Sequence, residues 1–178
     1  MKTFQLTDSV TLEEVGISDA PDIFRTLDGN REYFGRWLPF VEYTLTVDDS
    51  VRFVKMSLDA PGESREHLFA IREQGRFLGL TGFKSTDRAN KRTEIGYWLR
   101  EESQGRGIMT AAVERLCRFA FEEMGLNRVQ IRCAVGNVPS RNIPRRLGFR
   151  LEGIERADEL LTGGRFVDVE VYSKLLGE

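Results

Sequence analysis

The sequence predicts a mixed α/β fold, with a largely antiparallel sheet and a parallel centre. Three observations predict it. The apolar patterns run in the order strand, helices, three strands, helix, strand, helix, and two more strands. The stretch from Arg92 to Gly125 reads as strand, glycine loop and helix, and a further strand follows. Such a crossover places two strands side by side and parallel. Finally, Phe166 to Tyr172 (F-V-D-V-E-V-Y) alternates with period two, the pattern of a strand with one buried face.

Val10 to Val15 alternates as the first strand, and Phe4 and Leu6 extend it. Ser18 is placed to cap a helix with Pro21 in its first turn and an end near Gly29. Ile23, Phe24 and Leu27 lie on one face of that helix. Residues 31 to 42 are an aromatic-rich short helix or turn broken at Pro39. Asp48 or Asp49 caps a further helix that offers Val51, Val54, Met56 and Leu58 for burial and ends at Pro61-Gly62. His67 to Arg72 and Arg76 to Phe83 form a hairpin around Gln74-Gly75. Residues 87 to 91 are a polar turn into the central strand, Arg92 to Leu99. The helix after the glycine loop carries Ile108, Ala111, Ala112, Leu116, Phe119 and Ala120 at helical spacing and stops at Gly125. Arg128 to Ala134 is a strand and Asn137 to Leu147 a short helix. Gly148-Phe149 opens a strand toward Ile154, and Gly163-Gly164 turns into the last one.

Length and charge bound the function. The 178 residues are read as one domain, with a core of ordinary size. The net charge of −2, from 26 basic and 28 acidic residues, supplies no field that would recruit nucleic acid. No apolar run approaches a membrane span, and the N-terminus lacks a signal-peptide core, so a cytoplasmic protein is expected. Cys117 and Cys133 show no C-x-x-C spacing and read as reduced core thiols. His67 is the only histidine and reads as structural, so no metal site is expected.

The glycine loop carries the chemistry. Gly105 and Gly107 precede the helix that begins near Ile108. Glycines let a backbone approach an anion, and the unpaired N–H groups at a helix start point toward it. The loop lacks both G-x-x-x-x-G-K-[ST] and G-x-G-x-x-G, which argues against a P-loop NTPase and a dinucleotide fold.

The remaining form, Q-G-R-G-I-M entering a helix, resembles the pyrophosphate loop of the GNAT superfamily of acyl-CoA-dependent N-acetyltransferases. The family pattern, Gln/Arg-x-x-Gly-x-Gly/Ala, falls on Glu102 to Gly107, and Glu102 departs from it. A second motif, Asn137-Val-Pro-Ser140 followed by Leu147-Gly148-Phe149, is similar to the family's N-x-x-S/A…L-G-F element. E-I-G-Y-W-L in the central strand and W-L-P at Trp37 resemble the RimJ/RimL branch, which acetylates N-terminal amines of ribosomal proteins. The fold this implies is a twisted, mostly antiparallel sheet of about seven strands with a splayed parallel pair, flanked by about four helices.

The resemblance implies acetyl-CoA as co-substrate and assigns roles. The backbone of Gln104, Gly105, Arg106, Gly107, Ile108, Met109 and Thr110 would hold the pyrophosphate. The backbone of Tyr97, Trp98 and Leu99 would pair with the pantetheine arm, and Asn137 would reach that arm from the other side. Family members often place a thiolate-protonating tyrosine four residues before the L-G-F glycine. That position here is Pro144, and Ser140 is the substitute, hydrogen-bonding the thiolate. Glu94 is the carboxylate placed to act as base or to position water.

Plainer readings stand beside these. Glu94 could be a strand residue paired with Arg92 or Lys84, Ser140 a helix cap, and Asn137 a turn residue. Trp37, Phe34 and Phe40 read as core before they read as an acceptor wall. One of Arg141, Arg145, Arg146 and Arg150 could meet the 3′-phosphate of coenzyme A, but the cluster reads mostly as a solvated helix face. For function, the expectation is direct attack of a primary amine in a ternary complex, with a protein N-terminus as acceptor. A small cationic amine met by Glu32, Glu42, Asp48 and Asp49 is the alternative, and a non-catalytic acyl-CoA-binding regulator a third. The resemblance also implies a possible homodimer.

Overall fold

A computed structural model describes residues 1–59 and 66–178. One sheet of eight strands organises them: β1 (Thr3–Gln5), β2 (Val10–Glu14), β3 (Leu68–Glu73), β4 (Arg76–Asp87), β5 (Arg92–Leu99), β6 (Arg128–Ala134), β7 (Arg150–Leu161) and β8 (Arg165–Leu175). Their spatial order is β1-β2-β3-β4-β5-β6-β8-β7. Every neighbouring pair is antiparallel except β5 and β6. The mixed fold and its parallel centre are therefore as expected. The extra strand is β1, which does not extend β2 but pairs back on it, with Phe4 opposite Leu12.

Among the described residues five α-helices cover the sheet: α1 (Ala20–Asp28), α2 (Arg31–Gly35), α3 (Val47–Asp59), α4 (Ile108–Arg118) and α5 (Val138–Arg146). The aromatic segment divides at Pro39 into α2 and a 3₁₀ turn, Pro39–Glu42. Ser18 does not cap α1. It lies in a 3₁₀ turn, and Asp19 occupies the cap position, its carboxylate accepting from the Gly16 N–H at 2.8 Å. Neither Asp48 nor Asp49 caps α3. Asp49 lies in the first turn and reaches back to the N–H groups of Leu45 and Thr46, 3.0 and 2.7 Å away. The expected end of α3 at Pro61-Gly62 lies outside the described residues. Val54 of α3 is buried and Val51 and Leu58 partly so, whereas Met56 is 77% exposed. Helix α4 continues through a π-helical turn, Phe119–Glu123, before Gly125 turns the chain with φ of 66°.

Alternation on the strands separates two apolar layers. Ile95, Leu99, Val129, Ile131 and Tyr172 pack against α4, with Ile143 of α5 beside them. Leu80, Phe77 and Ala70 pack on the other face, against α1, α3 and Phe34. Burial of that surface supplies the main driving force of folding. At the far edge, β7 is held by polar bonds. Arg128 of β6 reaches across β8 to chelate the Glu152 carboxylate at 2.6 and 2.5 Å, and the Ser173 hydroxyl donates to the same carboxylate at 2.7 Å. The Arg128 guanidinium holds the Glu152 carboxyl down at about 2. Among the described residues no helix is long and apolar enough to cross a membrane.

Two glycines of β4 let the sheet close tightly. A methyl added at Gly79 would stand 2.2 Å from the Trp98 carbonyl oxygen, and one at Gly82 would stand 2.6 Å from that of His67. Backbone atoms cannot yield as a side-chain tip can. Gly79→Ala should therefore cost stability by roughly 1–3 kcal/mol, as overpacking does. Gly153→Ala, which meets nothing within 4 Å, should stay within about 0.5 kcal/mol of the parent. Urea denaturation of both variants checks the pair, and equal midpoints would contradict it.

Candidate active site

Strands β5 and β6 pair only from Arg92–Arg128 to Glu94–Gln130. Beyond that point β5 stays bonded to β4 as far as Leu99, and β6 stays bonded to β8 as far as Ala134. The two strands therefore diverge, and the facing edges from Ile95 and Ile131 onward have no strand between them. An open edge presents N–H and C=O groups that seek partners.

A cavity of about 660 Å³ occupies this opening. Its floor is Tyr97, Trp98 and Leu99, and one end is the loop from Ser103 to Thr110. Gly105 and Gly107 there have φ of 73° and 76°, left-handed values that a β-branched residue resists. Gly107 is the N-cap of α4 and has no side chain to occupy the helix's first N–H groups. The loop therefore offers an anion site at the start of an eleven-residue helix. Asn137, Pro139, Ser140, Asn142, Ile143 and Arg146 line the opposite wall, and Tyr33, Phe34, Trp37 and Leu38 close a third side. Glycine loop, open strand edge and apolar wall together suit a long ligand with a phosphate at one end and a peptide-like arm. Acetyl-CoA has that chemistry.

The residues singled out from sequence fall in different places. Gln104 to Thr110, Tyr97 to Leu99, Asn137 and Ser140 all border the cavity. The Arg106 guanidinium, however, turns away to the Glu73 carboxylate, which it grips with both nitrogens. Glu102 is held by Arg76 and Arg100 and stays outside the lining. Ser140 is not the cap of α5. Asn137 is, and its side-chain oxygen accepts from the Ser140 N–H at 3.3 Å. Glu94 does not line the cavity either. It is buried on the face that carries Trp98, with its Oε1 2.8 Å from Lys84 Nζ, directly across the β4–β5 ladder. That contact is an ion pair rather than a hydrogen bond, since Oε1 has no aligned donor. Glu159 of β7 lies close to this pair. Burial raises its carboxyl above the usual range, and Asp158 and Glu94 add to the rise.

The aromatic segment divides likewise. Phe34 is core and packs edge-on against Trp98 at 5.3 Å, while also edging the cavity. Trp37 lines the cavity rather than filling a core, and a methyl added at Gly136 would meet its ring at 3.5 Å. Phe40 is exposed, outside both core and cavity.

Among the lining or neighbouring residues that sequence does not single out are Tyr33, Leu38 and Cys133; Arg146, which sequence places in a basic cluster, joins them. The Tyr33 hydroxyl receives a hydrogen bond from the Gln104 amide and donates toward the Leu99 carbonyl at 3.4 Å, tying α2 to the glycine loop. Asn30 reinforces the tie by donating to Glu101 at 2.9 Å. Arg146 donates to Thr110 Oγ1 at 2.9 Å. Cys133 is buried as expected, but its sulfur lies 3.3 Å from Ser140 Oγ. Its alternation with Val129 and Ile131 reads as core, so no local signal marks it.

Burial pushes the Cys133 thiol up, with Glu170 and Glu94 adding to the effect, and pushes Cys117 up to about 12. A thiol with pKa about 12 is ionised in only about one molecule in 10⁴ at pH 8.

The comparisons with known proteins agree with this geometry. The family model described as an acetyltransferase (GNAT) domain matches residues 9–150. A Bacillus subtilis (strain 168) protein named "Putative ribosomal N-acetyltransferase YdaF" is 34% identical over 183 aligned positions, covering 100% of this chain and 97% of the relative. The ribosomal-protein-serine acetyltransferase of Escherichia coli (strain K12) is 26% identical over 175 positions, covering 98% and 97%. Among solved structures, the microcin C7 self-immunity acetyltransferase MccE, in complex with acetyl-CoA and AMP, matches with a TM-score of 0.89 at 29% identity, covering 96% of this chain and 94% of that one. RimL in complex with coenzyme A shares the fold, with a TM-score of 0.93 at 24% identity and 98% of both chains covered.

A disulfide reagent at pH 8 should find no fast thiol in the native protein and two after unfolding in urea. Rapid titration of one native thiol would show an ionised cysteine that this burial does not allow.

Proposed function

The chain belongs to the GNAT acetyltransferase family and uses acetyl-CoA as its acyl donor, and we propose that it acetylates the N-terminal α-amine of a ribosomal protein. The observation that carries this reading is the single cavity that joins the glycine loop, the open β5 edge and the Tyr33–Leu38 wall. The names of the two relatives support the acceptor class.

In this reading the N–H groups from Gln104 to Thr110 and the dipole of α4 hold the pyrophosphate. The Arg106 charge takes no part, being spent on Glu73. The β5 backbone at Tyr97 to Leu99 pairs with the pantetheine arm, and Asn137, whose side-chain N–H₂ has no partner among the described residues, meets the arm from the α5 side. A β5 N–H polarises the acetyl carbonyl. The amine attacks directly in a ternary complex. Cys133 is a poor nucleophile while it stays protonated, which disfavours an acyl-enzyme. Ser140 hydrogen-bonds the departing thiolate. Glu94, buried beside Lys84 on the Trp98 face, takes the amine proton through water. An α-amine ionises near about 7.7–8.0 and a lysine near about 10.4, so a carboxylate base acting through water suits the α-amine better. The reading also includes a cytoplasmic location beside ribosomes and a homodimer; the alternating last strand, expected to supply an edge for it, is enclosed between β6 and β7, so the sheet edge on that side is β7.

A small-amine acceptor has one observation in its favour, the likeness to a self-immunity acetyltransferase. The four acidic residues named for a polycation lie elsewhere, and among the described residues the acidic one that does line the cavity is Glu114 of α4. Glu32 pairs with Arg36, Asp49 turns back on Thr46, and neither these nor Glu42 and Asp48 line the cavity.

Release of free thiol from acetyl-CoA tests the acceptor. The panel holds Ser- and Ala-led ribosomal N-terminal peptides, lysine peptides, polyamines and aminoglycosides. A Ser- or Ala-led peptide should turn over fastest, and turnover confined to small amines would move the function to metabolite or drug acetylation. Ser140→Ala should lower kcat by about tenfold or more while sparing acetyl-CoA affinity, as loss of a transition-state hydrogen bond does. Gly107→Val should weaken acetyl-CoA binding about tenfold, because the side chain strains a left-handed φ and crowds the phosphate path. Parent-like affinity in that variant would undo the loop assignment.

A further inference from the structure

Helix α5 has an internal Pro144. In an α-helix the N–H of residue 144 would donate to the carbonyl of residue 140. Proline has no N–H, and its ring crowds that carbonyl outward. The Ser140 carbonyl is thus deprived of its regular donor, and a buried carbonyl without a donor is costly. The donor comes from another element. The Tyr97 hydroxyl, projecting from β5 across the opening between the strands, donates to Ser140 O at 3.0 Å. The same phenolic oxygen faces the Ser140 hydroxyl at 3.4 Å, with Ser140 Oγ as donor. Ser140 Oγ in turn meets Cys133 Sγ at 3.3 Å.

We propose that Tyr97 is a positioning residue for acetyl transfer, which fixes Ser140 through both its carbonyl and its hydroxyl in place of the helical bond that Pro144 removes. The proposal rests on the reading of Ser140 as the thiolate's hydrogen-bond donor. The carbonyl bond fixes the turn of α5 that carries the serine, and the serine's single proton, directed at the phenol in the free protein, swings to the thiolate as it forms. Burial holds the Tyr97 phenol well above its ordinary range, so it stays neutral and acts as an orienting dipole rather than a source of protons. The surroundings brace the same turn of α5. Arg141 lies 3.6 Å from Glu170, and Glu170 accepts from the Tyr172 hydroxyl at 3.0 Å. The serine is therefore held from β5 and β6 directly, and its turn of α5 from β8 through Arg141, across the opening where β5 and β6 have separated. The position at which many relatives carry a helical tyrosine is proline here, and the hydroxyl beside Ser140 comes instead from the strand.

The experiment is a double-mutant cycle on Tyr97→Phe and Ser140→Ala. It reads kcat, the KM for acetyl-CoA and the melting temperature, with the panel amine that turns over best. Tyr97→Phe should lower kcat about tenfold, leave that KM within about twofold, and add less than about twofold once Ser140 is alanine, the non-additivity of residues in one hydrogen-bond network. A merely structural tyrosine would lower the melting temperature and slow both backgrounds alike, and that result overturns the proposal. Parent kcat in Tyr97→Phe overturns it as well. If Ser140→Ala alone keeps parent kcat, the Ser140 reading fails and the proposal with it. A slow Ser140→Ala that Tyr97→Phe slows tenfold further defeats the proposal alone. Should Tyr97→Phe fold poorly, the cycle is run on Pro144→Ala, which returns an N–H to the Ser140 carbonyl. Only the hydroxyl contact is then left to lose, so Tyr97→Phe should slow that background by clearly less than about tenfold and add less than about twofold once Ser140 is alanine, and a full tenfold loss in both overturns the proposal.

Discussion

The early end of the β5–β6 ladder is the constraint on which the rest depends. Three residue pairs bond at the start of the two strands, and then each strand follows its outer neighbour. A continuous ladder would leave no cavity, no exposed strand edge and no reason for Tyr97 to cross toward α5. The parallel arrangement contributes directly. Parallel neighbours need a crossover, and here the crossover is the glycine loop and α4. The anion site and the open edge are thus two consequences of one connection.

Stability at the opening comes from both sides of it. Gly79 and Gly82 draw β4 close to its neighbours, so β5 is held firmly along its outer edge. Helix α4 seals the lower face with Ile108, Ala112, Val113 and Leu116, all buried. Outside the cavity, side-chain bonds rather than apolar packing position the parts. Tyr33 and Asn30 bind α2 to the loop region, Glu73 restrains Arg106, and Asn137 caps α5. The wall that would meet an acceptor and the loop that would meet the donor are therefore linked through Gln104, and a shift in one is felt by the other.

The electrostatics divide between the two faces of the sheet. Toward α4 and α5, the opening holds hydroxyls and a thiol that burial keeps protonated. Toward the Trp98 face, Glu94, Lys84 and Glu159 gather near the point where the ladder ends. Acyl transfer to an amine needs a neutral hydrogen-bonding environment for the leaving sulfur and a charge that accepts a proton on the nucleophile's side. On the proposed reading of Ser140 and Glu94, the sheet keeps these requirements apart by alternating its side chains.

Periodicity alone determined most of the elements: the central strand, α4, β6 and the alternating β8 fall where the sequence puts them, because each has a strong apolar repeat, and α4, β6 and β8 have glycines near their ends. The glycine loop was legible for a related reason, since glycine takes the left-handed φ found at positions 105 and 107 at the least steric cost. Caps were less legible. Ser18, Asp48, Asp49 and Ser140 all have capping side chains, and which one caps depends on where the backbone turns. Tertiary structure alone decided which residues meet. Cys133 reads as core and Tyr97 as a strand aromatic, and nothing local brings either to Ser140. Trp37 and Phe34, alike in sequence, part company because one faces the opening and the other the α1–α3 layer. Local pattern records which face of an element is apolar. Where two strands separate, and what then stands across the gap, follows from long-range pairing, which no short stretch of sequence contains.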